Sequence, residues 1–244
     1  MELNHQRIDT QDDSFIQGVK DCVPTLLGYL SIGFAAGVVG NTSGMSVSEI
    51  ALMSALLYAG SGQFIAAGMI AASSPISAII FTIFFINIRH LLLSAAVAPH
   101  LKGLSSWKNL VIGSQLTDET FGVAMNHVAS GKKLGYRWML GLNITAYLNW
   151  LLATIAGGLL GKWIPHPEVY GLDFALPAMF IGLLVLQLHS SKKVLVPMIV
   201  ALSSVLIVIG ASYIFSGSMG VIIAAVISST IGAVIQKWTS DGTS

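Results

Sequence analysis

Three polar clusters lie inside separate apolar stretches: Gly60-Ser61-Gly62-Gln63, Asn87-Ile88-Arg89-His90 and Asp118-Glu119. An ionisable group at membrane depth is costly, so it faces a partner or a watery cavity and marks a pathway. Glycines at 60 and 62 can unwind a helix, because a residue without Cβ pays little for unusual backbone geometry. The helix resuming after them would offer free N–H donors and its positive end, a seat for a carboxylate. Tyr58 and Gln63 add hydrogen-bonding side chains on either side. The competing reading is that the glycines only let helices pack closely.

Arg89 needs a counter-charge, since an arginine at the centre of a membrane helix costs roughly 2.5–3.5 kcal/mol. Asp118 and Glu119 are the natural partners. Adjacent residues of a helix point about 100° apart, so one can pair with Arg89 while the other faces a cavity. A purely structural ion pair is the alternative. His90 is a candidate proton carrier, because imidazole titrates near neutrality. A packing role for a single histidine in an apolar helix competes with it. The candidate substrate-binding residues are therefore Tyr58, Gly60, Ser61, Gly62, Gln63, Asn87 and Arg89, and the candidate proton-coupling or ion-pair residues are His90, Asp118 and Glu119.

The elements that would position them follow from composition. The chain has 244 residues, 54% hydrophobic and only 9% charged, with mean hydropathy +0.78. A soluble domain carries roughly 25% charged residues. Repeated apolar runs long enough to span a bilayer predict an all-α integral membrane protein. Eight spans are expected, at about 24–40, 49–72, 76–98, 109–130, 138–161, 172–189, 194–214 and 217–236. The second is expected to be interrupted at its glycines and the sixth at Pro177. The three polar clusters then fall near one depth, where transporters bind substrate.

Residues 1–23 read as a cytoplasmic polar lead-in and interfacial segment without signal-peptide character, 24–236 as the transmembrane domain, and 237–244 as a cytoplasmic tail. With the N-terminus inside, Arg7, Lys20, Lys132, Lys133, Arg137, Lys192, Lys193 and Lys237 are cytoplasmic, against Lys102, Lys108 and Lys162 outside. That asymmetry predicts cytoplasmic N- and C-termini. Ala35-Ala36-Gly37-Val38-Val39-Gly40 and Ala156-Gly157-Gly158-Leu159-Leu160-Gly161 hint at a parallel 4+4 repeat. Net charge is +1, so nothing points to nucleic acid. A single cysteine, Cys22, excludes an intrachain disulfide. No two histidines have the spacing of a metal motif, and no cofactor is expected.

Taken in order, these residues resemble the AzlC family of branched-chain amino-acid permeases, the larger subunits of two-component exporters. Phe15-Ile16-Gln17-Gly18 followed by Pro24 is similar to the family's opening. Tyr58-Ala59-Gly60-Ser61-Gly62-Gln63-Phe64, Arg89-His90 followed by Leu91 to Ser94, and Thr117-Asp118-Glu119 are similar to its later motifs. Gly62 stands where serine is common, and Asn87 where some relatives carry aspartate. The resemblance implies export of leucine, isoleucine and valine from the cell and a small hydrophobic AzlD-type membrane subunit as partner. Proton coupling would use Asp118, Glu119 or His90. Import, or a channel for a small anion or neutral solute, are the alternatives. A serine–histidine membrane protease is disfavoured, because the stretch around Ser61 lacks the first glycine of GxSG, and no enzyme activity is expected.

Overall fold

A computed structural model describes residues 13–164, 166–190, 194–214 and 217–241. Most of the polar lead-in, including His5 and Arg7, lies outside the described residues, as do Lys192, Lys193 and the last three residues of the tail. Among the described residues all regular structure is helical: α1 (Phe15–Thr42), α2 (Val47–Leu57), α3 (Gly60–Ala71), α4 (Ile76–Val97), α5 (Ser106–Ser114), α6 (Asp118–Ala129), α7 (Tyr136–Leu160), α8 (Ala175–Ser190), α9 (Leu195–Ser212) and α10 (Gly217–Asp241), with short 3-10 turns between some of them. Four described helices are long and apolar enough to cross a bilayer: Phe15–Thr42, Ile76–Leu101, Tyr136–Trp163 and Leu195–Ser212. This is an all-α integral membrane protein.

The contacts divide the chain into two units, Met1–Leu183 and Leu184–Ser244, with the junction inside α8. The first is built on α1 against α7. The two helices run parallel and touch backbone to backbone at two levels. A Cβ on Gly18 would stand 2.0 Å from Trp138 O, and one on Gly141 2.1 Å from Phe15 O. Further along, a Cβ on Gly37 would stand 2.1 Å from Thr154 O, and one on Gly157 2.0 Å from Phe34 O. At each level a glycine of either helix meets a carbonyl three residues before the other's glycine. Only a residue without a side chain permits that approach, and it brings Cα–H groups against carbonyl oxygens. The two small-residue runs matched in the sequence thus pack on one another.

Buried and half-buried polar groups on α7 tie further elements into this pair. Asn143 donates to Ile112 O of α5 (3.2 Å), Tyr147 to Ala55 O of α2 (3.0 Å) and Thr154 to Ser54 Oγ of α2 (2.7 Å). Asn149 donates to Leu26 O of α1 (3.1 Å). Such bonds hold a helix bundle together where lipid supplies no hydrophobic drive between helices. By contrast, α4 turns Ile80, Phe81, Phe84, Leu91 and Leu92 outward, as a lipid-facing helix should. In the second unit α9 and α10 form an antiparallel hairpin, with Gly220 beside Ala211 and Gly232 beside Val200.

Several sequence expectations move. The first helix begins at Phe15 and passes Pro24 without a break, so no helix boundary separates an interfacial segment from a span at 23/24. Proline removes one helical bond there, but the backbone contacts at Gly18 and Gly37 hold α1 on α7 at both ends. The second span is interrupted, but at Tyr58–Ala59 rather than within Gly60–Gly62. The fourth, expected to be continuous, is also broken, at 115–117. The sixth is not interrupted at Pro177. That proline lies in the first turn of α8, where its missing N–H has no intrahelical partner to lose, and a 3-10 turn, Leu172–Phe174, precedes it.

Candidate functional site

Two broken helices and one continuous helix build the site. At the first break, α2 ends on Tyr58 in the left-handed region (φ 41°, ψ 48°). For a residue with a side chain that geometry costs about 1–2 kcal/mol. The contacts over-determine it: the Tyr58 ring packs edge-on against Tyr147, centroids 4.8 Å apart. α3 then starts from Ala59, which supplies no side-chain cap. Its first helical bond runs from Gln63 N to Ala59 O (2.8 Å), so the N–H groups of Gly60, Ser61 and Gly62 have no carbonyl within the helix to meet. These donors form the positive end of α3.

At the second break the chain caps the new helix fully. Thr117 accepts from Thr120 N (3.3 Å), and Thr120 Oγ1 accepts from Thr117 N (2.9 Å). Asp118 and Glu119 occupy the first turn of α6, where the helix dipole favours negative charge. The sequence places them mid-helix; the structure places them at a helix start.

Helix α4 brings the cation. Arg89 pairs with Asp118, Nη1 to Oδ2 2.9 Å, and donates from Nη2 to Ser61 Oγ at 2.7 Å. One guanidinium thus bridges the starts of α3 and α6. Glu119 turns the other way and accepts from Tyr29 Oη of α1 (2.9 Å). Tyr29 also bonds Thr117 Oγ1. The Tyr29 hydroxyl donates to Glu119, so in the other contact the Thr117 hydroxyl is the donor. The sequence expects one acid on Arg89 and the other facing a cavity; here Asp118 takes Arg89, while Glu119 is bonded to Tyr29, a residue not among the candidates, and lines the hollow.

These groups surround a small hollow lined by Tyr29, Tyr58, Gly60, Arg89, Asp118 and Trp150, among others. Its volume is about 10 Å³, space for about one water. The Arg89 and Asp118 side chains are 24% and 21% exposed, so the pair borders the hollow. Gln63 is buried away from it, accepting from Trp150 Nε1 at 2.6 Å. The Trp150 ring covers Gly60, where a Cβ would come within 3.0 Å. Gly62 lies beside Asn87, its would-be Cβ 3.5 Å from Oδ1.

His90 faces the second break: its Nδ1 is 2.9 Å from Leu116 O. His90, Tyr58 and Asn87 also line a second cavity of about 210 Å³, with Leu57, Gly113, Ser114 and Leu116. Of the sequence-derived candidates, Tyr58, Gly60, Asn87, Arg89, His90, Asp118 and Glu119 line one or both cavities; Ser61 reaches them through Arg89, Gly62 through Asn87, and Gln63 is turned onto Trp150 instead. Tyr29, Thr117 and Trp150 were missed. Trp150 carried a signal, being a tryptophan away from any span end; Tyr29 carried none beyond being a phenol within an apolar run. Among the described residues no group of three or more His, Cys, Asp or Glu is placed to hold a metal ion.

The AzlC protein family model matches residues 24–164, which contain every residue of this site. The chain belongs to the AzlC family. An inner membrane protein of Escherichia coli K12, YgaZ, is 28% identical over 188 residues, covering 75% of this chain and 77% of its own length. An archaeal membrane protein of Archaeoglobus fulgidus is 35% identical over 172 residues, covering 70% and 74%. The Bacillus subtilis protein named branched-chain amino acid transport protein AzlC is 28% identical over 173 residues, covering 70% of this chain and 66% of its own length. No solved structure matches. The AzlC-family region coincides with the unit that carries both broken helices, so the family match and the polar site occupy the same part of the chain.

Proposed function

We propose that this chain is the large subunit of a two-component, proton-coupled exporter of branched-chain amino acids, set in the cell membrane with both termini in the cytoplasm. The observation that carries the reading is the meeting of Arg89, Asp118 and the uncapped start of α3 at one hollow inside otherwise apolar segments. The family and the name of the Bacillus subtilis relative support the substrate class.

The chemistry suits a zwitterion. Its carboxylate meets the N–H groups of Gly60, Ser61 and Gly62 together with the Arg89 guanidinium. Its ammonium needs an acceptor among Asp118, Glu119 and Asn87. Its branched side chain meets the rings of Tyr29, Tyr58 and Trp150. A proton on Asp118 would release Arg89 from its partner, and His90 can carry a proton at its second ring nitrogen. Either event alters the charge the substrate meets, which couples proton and amino-acid occupancy.

A hollow of about 10 Å³ does not admit leucine, so loading requires motion. The hinges available are Tyr58–Ala59 and 115–117, where helical bonding already stops. A site that must open to load favours alternating access over a standing pore. Counterflow of labelled leucine in proteoliposomes, with and without the AzlD-type subunit and a pH gradient, tests the reading. Saturable exchange that responds to the gradient is expected. Unsaturable flux without counter-substrate would establish a channel instead, and flux accumulating leucine only toward the cytoplasmic side would establish an importer.

A further inference from the structure

The proposed site offers the carboxylate several donors, and each of its acids already faces a donor of the protein. Asp118 is paired with Arg89 and Glu119 holds the Tyr29 hydroxyl. Two other acceptors, three residues apart on α4, are not committed. Asn87 Oδ1 is buried and has no hydrogen-bond partner. His90 Nε2 is likewise buried and without a partner. The contact at the other ring nitrogen decides its chemistry. Leu116 O is a carbonyl and can only accept, so Nδ1 carries the hydrogen and Nε2 of the neutral ring is a bare lone pair.

Residues at i and i+3 share one face of a helix, and both of these line the 210 Å³ cavity. That volume is about twenty times that of the hollow beside Arg89. The cavity shares Tyr58 and His90 with the hollow that holds Arg89 and the start of α3. Nearly all buried polar groups of folded proteins find a partner, so one that lacks it calls for an explanation, and Tyr58 Oη between the two cavities lacks one too. Two neighbouring lone pairs lacking donors call for a group carrying more than one N–H.

We propose that Asn87 and His90 form the ammonium subsite, and that the amino acid binds with its carboxylate toward Arg89 and the first turn of α3 and its ammonium across Tyr58, on the α4 face of the larger cavity. The assignment rests on the transport reading above and deepens it. It makes the α-amino group, rather than the branched side chain alone, a determinant of specificity. A branched carboxylic acid without the amino group would reach the donors but leave both lone pairs empty.

The test reconstitutes the full chain with its small subunit and measures inhibition of labelled-leucine exchange by leucine and by 4-methylpentanoate, which lacks the ammonium. The wild-type protein should prefer leucine strongly. Asn87→Leu should weaken leucine about ten- to hundredfold, the scale of one hydrogen bond to a charged group, while inhibition by 4-methylpentanoate stays within about twofold. Asn87→Asp, which keeps an acceptor, should retain or raise the preference even if Asn87→Leu gives too little exchange to measure. Equal weakening of both compounds by Asn87→Leu, an unmoved preference in that variant, or loss of preference in Asn87→Asp would overturn the subsite. Those outcomes leave the transport reading standing, because the wild-type protein still exchanges leucine. Absence of leucine exchange by the wild-type protein would instead remove both.

Discussion

Arg89 shows how one side chain joins three elements. Its guanidinium spans Asp118 on α6 and Ser61 on α3, and a planar fork with several donors does this where a lysine could not. Arg89→Ala and Asp118→Asn are each expected to abolish leucine exchange while the protein still reaches the membrane, checked by counterflow beside a membrane-fraction blot. The double change Arg89→Ala/Asp118→Ala separates function from stability. Leaving one buried charge alone costs up to about 3–5 kcal/mol, and removing its partner as well lifts that penalty although some packing is lost. The double variant should therefore melt in detergent at a higher temperature than Arg89→Ala, yet remain inactive. Equal melting temperatures would mean that Asp118 without Arg89 carries no penalty. Tyr29→Phe removes the donor to Glu119 and the acceptor for Thr117. It should impair exchange without unfolding the protein, because the ring keeps its edge contact with Trp150 at 5.5 Å. Normal exchange in that variant would make the phenol a packing group only.

At the scale of elements, the α1–α7 contact carries the sharpest expectation. A Cβ at Gly37 or Gly157 would lie about 2 Å from a backbone carbonyl of the opposite helix, and a carbonyl cannot rotate away as a side chain can. Gly37→Leu or Gly157→Leu should force the helices apart and sharply reduce folded protein, read as recovery of monodisperse material in detergent. Gly28→Leu on the same helix α1, where nothing lies within 4 Å, should be tolerated. Similar recovery for all three would contradict the packing. The broken helices teach a different lesson. The second break was legible in outline because glycines flag it, yet the helix stops two residues earlier, on a tyrosine held left-handed by its contact with Tyr147. The fourth-span break was not legible. Gln115-Leu116-Thr117 contains neither glycine nor proline; Thr117 starts a capped helix there, while Leu116 O is taken up by His90 from another helix.

For the whole molecule, the charge asymmetry between loops predicts which side each loop faces. Cys22 is buried, so a Cys22→Ser background permits single cysteines to be placed at exposed loop positions. Cysteines near Gly131 should react only with reagents applied from the cytoplasmic side, and those near Lys102 only from outside; the reverse pattern would invert the proposed orientation. What the amino-acid order determines alone is the class and the inventory. Helical spans and membrane residence follow from length and apolarity, which are local. The ten candidate residues follow from polarity set against an apolar background, which is local too. Tertiary structure alone decides that the acids begin a helix rather than sit within one, that Glu119 goes to Tyr29, and that Trp150 closes over Gly60. The first rests partly on His90 taking up Leu116 O from another helix, and the other two on partners about ninety residues away in the chain; a hydrogen bond or ring contact between distant segments leaves no periodicity or spacing in either one.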